Sequence, residues 1–352
     1  MKRLLDIIRV EIRIVCVRNY IKLSAITLFV ISLVGCGNFE PDLGQIKKVE
    51  THKKSPKDVL IENDHVDLTR ECMELGISTE EINIHISGLE REYTFLWLSD
   101  MHIITENDEI AVEDLETVEG RRESFKNAAG MYSDEFWSRL SKILDDWGAD
   151  ALFFGGDMID YAANANIACL KEGIDNLDTP YLYVRADHDY FPYYCAVKDE
   201  EAIARLHAKI DGYEEISLIE FEDLCLVGIN DSTRQISATA LQKMKDICAK
   251  GKPVILITHV PLNSLYDTSL EEGSKTVWGD KALVWGENCA YTPDEITQEF
   301  MDLVCAEDSP VKEVLAGHLH FSWDGHLTEN IGEHVFMPGY HGNIGIVKVG
   351  AH

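Results

Sequence analysis

Five times along this chain a short apolar run breaks off into a cluster of aspartate, histidine and glycine. Tyr93–Leu98 runs into Asp100-Met101-His102, Ala151–Phe154 into Gly155-Gly156-Asp157, and residues 181–184 towards Asp187-His188-Asp189. Residues 254–258 run into His259, and residues 313–315 lead to Gly317-His318-Leu319-His320. Short apolar runs rich in β-branched and aromatic residues and bounded by polar clusters read as buried strands. The segments between them carry helical spacing, and strands alternating with helices define an α/β domain. Sites in such domains form outside the carboxyl ends of strands. The pattern therefore predicts that all five clusters meet on one edge of a sheet.

Around this framework further elements are expected. Residues 82–86 and 93–98 read as a β-hairpin across Gly88, and residues 134–147 as a helix capped by Ser133 and stopped by Gly148. Helices are expected near 166–177, 202–210 and 238–249, with strands near 216–221 and 225–229. The 352 residues suffice for one large domain. The metal-ligand-like clusters all fall in the part of the chain assigned to that domain, residues 81–352.

An isolated Asp-x-His is common and carries little weight. The ordered set is far more specific: Asp100 and His102, Gly156-Asp157 with Asp160, His188-Asp189, His259, then Gly317-His318 with His320. Carboxylate and imidazole groups suit Zn, Fe and Mn. Two such ions side by side clamp both the attacking and the leaving oxygens of an in-line displacement. Over residues 92–345 this series resembles the calcineurin-like metallophosphoesterase superfamily. The resemblance implies a four-layer αββα sandwich of two mixed sheets flanked by helices. It implies two divalent or mixed-valence metal ions (Mn, Fe or Zn) acting on a small phosphoester. By position it gives Asp100, His102 and His320 to one ion, Asp187, His259 and His318 to the other, and Asp157 to both. It gives His188 the role of general acid, with Asp189 orienting its ring, and leaves Asp160 to hold a ligand or backbone in place.

One position departs from the pattern. The family motif reads Gly-Asn-His-Asp or Glu where this chain has Ala186-Asp187-His188-Asp189. Asparagine offers a carbonyl oxygen to metal and an amide donor to phosphate, whereas aspartate is a charged ligand with no donor. Two readings follow: a phosphatase or phosphodiesterase with altered phosphate contact, or a degenerate, non-catalytic metal- or ligand-binding surface lipoprotein. The segment between His259 and His318, with Tyr266, Trp278 and Trp285, is either a lid over the site or an insertion packed on itself. His341 is a candidate neighbour of the site, His326 and His334 read as surface residues, and His65, His85 and His207 belong to no motif.

The first 35 residues read as an address. A basic stretch precedes the uncharged run 23–35, which is too short to span a bilayer and has the length of a signal-peptide core. It ends in Leu33-Val34-Gly35-Cys36, which resembles the bacterial lipobox. Lipidation of Cys36 would anchor an exported protein on the outer side of the cytoplasmic membrane, with residues 36–80 as tether and lead-in. An uncleaved N-terminal anchor is the competing reading. A net charge of −30 argues against bulk nucleic acid as partner. The nine cysteines contain no CxxC pair, so those after Cys36 are expected to be small buried hydrophobes. The oligomeric state has no signature in the sequence.

Overall fold

The computed structural model describes residues 68–210, 215–264 and 266–351. The expected signal peptide, Cys36, His65 and most of the tether lie outside the described residues. The strands are β1 (Ser78–His85), β2 (Tyr93–Leu98), β3 (Ala151–Phe154), β4 (Tyr181–Tyr183), β5 (Ile216–Glu220), β6 (Cys225–Ile229), β7 (Val254–Ile257), β8 (Val311–Ala316), β9 (Trp323–Thr328), β10 (Ile331–Val335) and β11 (Asn343–Gly350). They form two mixed sheets, in the orders β1-β11-β2-β3-β4 and β5-β6-β7-β8-β10-β9.

Side-chain alternation explains the layering. In β3 all four residues are buried. Ala151 and Phe153 point between the sheets, where they join Phe95, Trp97, Leu226, Ile255, Ile257 and Phe336. Leu152 and Phe154 point the other way, onto Phe136, Trp137 and Leu140 of the helix Ser133–Leu140 and Ile167, Leu170 and Ile174 of the helix Asn164–Ile174. A strand apolar on both faces needs cover on both sides, and parallel strands take it from crossover helices. The second sheet repeats this. Val227, Ile229, Val254 and Leu256 pack against Leu241 and Met244 of the helix Ala238–Cys248 and Phe300 and Val304 of the helix Glu295–Val304. The result is helix, sheet, sheet, helix, as the resemblance implied.

Two expectations fail. The runs 82–86 and 93–98 do not form a hairpin. β11 lies between β1 and β2, parallel to β1 and antiparallel to β2. The C-terminal strand takes the place that a hairpin partner would occupy, a pairing between residues some 265 positions apart that no local turn announces (Ser78 opposite Asn343). The clusters also do not share one sheet edge. Three follow β2, β3 and β4 of the first sheet, and two follow β7 and β8 of the second. The site is built where the carboxyl ends of two stacked sheets meet.

Smaller differences have local causes. The helix after Ser133 ends at Leu140, and a separate 3₁₀ turn, Asp145–Trp147, stops at Gly148 with φ of 67°. Ser133 is not the cap. Its hydroxyl donates to the carbonyl of His102 at 2.8 Å and accepts from the Ile104 amide at 3.1 Å, which fixes the loop that carries His102. His334 is buried rather than exposed, bonded to Glu80 of β1 through Nε2 at 3.0 Å. Of the seven cysteines in the described residues, all free, Cys195, Cys225 and Cys289 are buried, while Cys72, Cys169, Cys248 and Cys305 are only half-buried.

Candidate metal centre

The loops at the strand ends are laced together before any side chain is considered. The amide of Asp100 donates to the Gly156 carbonyl at 2.9 Å, and that of His102 to the Asp157 carbonyl at 2.9 Å. Across the sheets, the amide of Gly317 donates to the carbonyl of His259 at 3.1 Å. The two glycines in these turns do different things. Gly156 has φ of 92°, and a Cβ there would also come within 2.7 Å of the His259 ring. Gly317 has no positive φ; its need is space, because a Cβ would lie 2.5 Å from Asp100 Oδ2.

Backbone strain concentrates here. Among the described residues the non-glycine positions with positive φ are Asp100 (50°), His102 (44°), Asp157 (49°), His318 (71°), His320 (56°), Arg234 (61°) and Asn288 (66°). Left-handed backbone costs a side-chain-bearing residue on the order of 1 kcal/mol and survives where surrounding structure enforces it. Five of these seven positions are residues that the sequence marked as metal ligands.

Their side chains converge in two groups. Ligand atoms of Asp100, His102 and His320 lie within 4.8 Å of one another, as do those of Asp157, His259 and His318. His102 Nε2 faces His320 Nε2 at 3.2 Å, and His318 Nδ1 faces His259 Nε2 at 3.2 Å. Asp157 stands between the groups, with Oδ2 at 3.2 Å from His259 Nε2 and 3.9 Å from His102 Nε2. Its Oδ1 is buried with no hydrogen-bond partner. Facing imidazole nitrogens and an unpartnered buried carboxylate oxygen fit cations as the missing partners. Asp187 joins differently from expectation: its oxygen groups with Asp157 and His188, not with His259 and His318.

The supporting residues separate into those the sequence marked and those it did not. Asp160 is fully buried. Its Oδ1 accepts from His102 Nδ1 at 2.9 Å, and Arg121 grips both its oxygens, at 2.6 and 2.7 Å. Burial alone would raise its pKa, but Arg121 and His102 outweigh that and hold it at about 2. His102 Nδ1–H is thereby directed at a carboxylate, which leaves Nε2 and its lone pair facing the cluster. His188 Nδ1 lies 2.5 Å from the Asp160 carbonyl oxygen, so it donates and Nε2 is left open. Burial pushes the His188 pKa down, but Asp157, Asp160 and Asp187 together raise it.

Asp189 does not orient His188. Its carboxylate accepts from the amides of Ile159 at 3.0 Å and Ala186 at 2.9 Å, so it ties the loop after β3 to the loop after β4. Burial, then the nearby Asp157, lifts its pKa to about 7. The ring is held instead by a backbone carbonyl, a contact with no side-chain signature.

The loop after β6 was not singled out, although it too is a polar cluster, Asn230-Asp231-Ser232-Thr233-Arg234, directly after an apolar strand. The rule that found the other clusters would have found it. Asp231 is buried and accepts from the amides of His259 and Val260 at 2.9 and 2.8 Å. Burial raises its pKa to about 7. Arg234 Nη2 donates to Asp187 Oδ2 at 2.5 Å, and the Tyr193 hydroxyl donates to the same oxygen at 2.7 Å. The segment between His259 and His318 partly reaches the site. The Tyr291 hydroxyl is 3.0 Å from His318 Nε2, and Trp278 lies edge-on to His320 at 5.7 Å. Trp285 is instead buried in the second helix layer, and Tyr266 is exposed. His341 stands beside Tyr340, whose ring touches those of His102 and His320.

Compared with known proteins, residues 93–322 match the family described as calcineurin-like phosphoesterase. No curated protein matches the chain. Solved structures that it resembles include a dimetal phosphatase from Danio rerio, at 10% identity and a TM-score of 0.44, covering 71% of this chain and 88% of that one. A purple acid phosphatase from yellow lupin (Lupinus luteus) matches at 12% identity and a TM-score of 0.43, covering 74% of this chain and 45% of that one. The NAD nucleotidase of Haemophilus influenzae matches at 11% identity and a TM-score of 0.38, covering 73% and 52%. This chain thus spans about half the length of the lupin and Haemophilus proteins.

Proposed function

The chain belongs to the calcineurin-like phosphoesterase family, and from that membership we propose that it hydrolyses small phosphoesters with a pair of metal ions. The observation that carries this is the unpartnered Asp157 Oδ1 at the junction of two convergent His/Asp groups. Asp100, His102 and His320 would hold one ion, and His259, His318 and Asp187 the other, with Asp157 shared between them. Cations bound there would lower the pKa of a water and offset charge on the phosphoryl oxygens. The protein's own groups do the rest. Asp160 and the Asp160 carbonyl fix the tautomers of His102 and His188. In its imidazolium form, favoured by Asp157, Asp160 and Asp187, His188 would give its Nε2 proton to the leaving-group oxygen as the phosphorus–oxygen bond breaks, while the water oxygen takes its place on phosphorus and the water's proton passes to solvent. Asp231 and Asp189 hold the loops in register.

Export and lipid anchoring through Cys36 belong to the same proposal and rest on the N-terminal sequence. Among the described residues no helix is long and apolar enough to cross a membrane. Replacing Cys36 with serine should move the protein out of the membrane fraction, and an unchanged distribution would remove the anchor.

The site is tested by metal analysis paired with turnover of chromogenic mono- and diesters in Mn²⁺. Two metals per chain and hydrolysis of one ester class are expected. Asp157→Ala should fall to the level of chelator-treated wild type. Full metal occupancy with no turnover across a broad ester panel would defeat the hydrolase reading. Less than one metal per chain would favour a binding lipoprotein.

A further inference from the structure

An aspartate at position 187 removes an amide donor and adds negative charge where an anionic phosphoester must enter. The structure places a cation against that charge. Arg234 Nη2 donates to Asp187 Oδ2, and its guanidinium lies 5.1 Å over the ring of Tyr291, the tyrosine bonded to His318. Its backbone sits at φ of 61° in a tight turn closed by its own amide, which donates to the Asp231 carbonyl at 2.6 Å. Asp231 in turn holds the amides of His259 and Val260, and the buried Trp285 donates from Nε1 to the Arg234 carbonyl at 3.1 Å. The loop is therefore built onto the strand end that carries His259. Yet the side chain it presents is 48% exposed, beside an Asp187 side chain that is 9% exposed. A guanidinium has five N–H donors, and among the described residues its hydrogen bond uses Nη2 alone.

We propose that Arg234 is the phosphoryl-binding residue of this site: Asp187 turns one oxygen to the metal cluster and holds with the other a guanidinium whose remaining donors take the substrate's phosphoryl oxygens. A carboxylate–guanidinium pair thus replaces a single neutral amide. Arginine suits this role, because its planar fork matches phosphate geometry and stays charged at all working pH values. In a chain of net charge −30 it also supplies local attraction for an anion. The proposal rests on the phosphoesterase reading for its ligand, but its test does not depend on turnover.

The test is calorimetric titration of Mn²⁺-loaded protein with inorganic phosphate, with metal content measured on the same samples. The variants are Arg234→Gln, Arg234→Lys, Asp187→Asn and Asp187→Asn with Arg234→Gln. Arg234→Gln should weaken phosphate binding roughly 10- to 100-fold at unchanged metal content. Arg234→Lys should keep part of the affinity, since it retains the charge but not the fork. In the Asp187→Asn background, where the amide donor returns, loss of Arg234 should cost markedly less. Equal phosphate affinity in Arg234→Gln and wild type would overturn the proposal. So would an Arg234→Gln variant that loses metal and regains it with Asp187→Asn, because Arg234 would then only neutralise Asp187. Wild type that binds metal and phosphate through Arg234 but hydrolyses no ester would defeat the hydrolase reading and leave this one standing.

Discussion

Two aspartate–arginine pairs flank the candidate metal centre, and they are built differently. In the first, Asp160 is fully buried and Arg121 grips both of its oxygens, with the guanidinium stacked over Phe125 at 5.0 Å and Tyr194 at 5.6 Å. In the second, Arg234 touches one oxygen of Asp187 and stays half-exposed. A buried charge needs a committed partner, since an unpaired one costs several kcal/mol. Arg121 is that partner, spending Nε and Nη2 on the two oxygens of Asp160. Arg234 is held through its backbone, by its amide on the Asp231 carbonyl and by Trp285 Nε1 on its carbonyl, while its side chain spends Nη2 alone on Asp187. The same two residue types thus serve one side of the candidate site by fixing the His102 ring and, on the proposal above, the other side by keeping donors for the substrate.

His188 stands between the pairs and offers the largest effect. Its Nδ1 is fixed by the carbonyl of Asp160, and its ligand atom groups with those of Asp157 and Asp187. As a general acid it should matter in proportion to the basicity of the leaving group. His188→Gln is expected to lower kcat by roughly 10²- to 10⁴-fold on an alkyl ester and far less on a nitrophenyl ester. Equal losses on both would mean that the ring positions the substrate and donates no proton.

The pairs themselves make a sharper contrast. Arg121→Met leaves the Asp160 charge uncompensated and lets the His102 ring turn. Metal affinity should drop roughly 10- to 100-fold, the usual effect of losing a group that orients a ligand, while phosphate affinity of the fully loaded protein stays as in wild type. That is the inverse of the Arg234 result. Metal titration followed by chromogenic chelator competition reads the first quantity. If Arg121→Met kept its metal and lost phosphate, the division of labour between the pairs would be wrong.

This contrast also marks how far the sequence could be read. All seven marked ligand positions lie at strand ends, where a short apolar run followed by Asp or His is visible in one dimension. Three of the supporting groups are not visible that way. Arg121 comes from the helix Leu115–Ser124, which carries no motif and meets Asp160 only in three dimensions. Tyr291 reaches His318 from a segment whose spacing is irregular. The carbonyl that fixes His188 has no side chain to read, so the role fell wrongly to Asp189. The fold failed at the same kind of place. Parallel pairing of β1 with β11 depends on a distant strand, and a local rule preferred the nearer partner β2. Arg234 is the exception, missed although its cluster follows an apolar strand like the others.

A third carboxylate arrangement, with no arginine paired to it among the described residues, tests the rule from the other side. Glu333 of β10 is buried, with Oε1 accepting from the Leu262 amide at 2.8 Å and Oε2 unpartnered. Glu313 of the adjoining β8 lies over Gly332 in the same register. Burial lifts both to about 8, helped for Glu333 by Glu313 and for Glu313 by Asp324. Without a cation the pair can be kept neutral only by protons. The folded state therefore holds protons that the unfolded chain, with carboxyls near pKa 4.3, has already released. This contribution to stability is complete below about pH 4.5 and is lost as pH rises towards about 8. Glu313→Gln with Glu333→Gln, where the amide oxygen can still accept from Leu262, should lessen the fall of denaturation midpoints between about pH 5 and 8, leaving the part that Asp189 and Asp231 contribute, without changing metal content. If the double variant kept the wild-type slope, a cation outside the described residues, or water, must already compensate these charges, and the contrast between the arginine-paired Asp160 and Asp187 and the unpaired Glu313 and Glu333 would not hold.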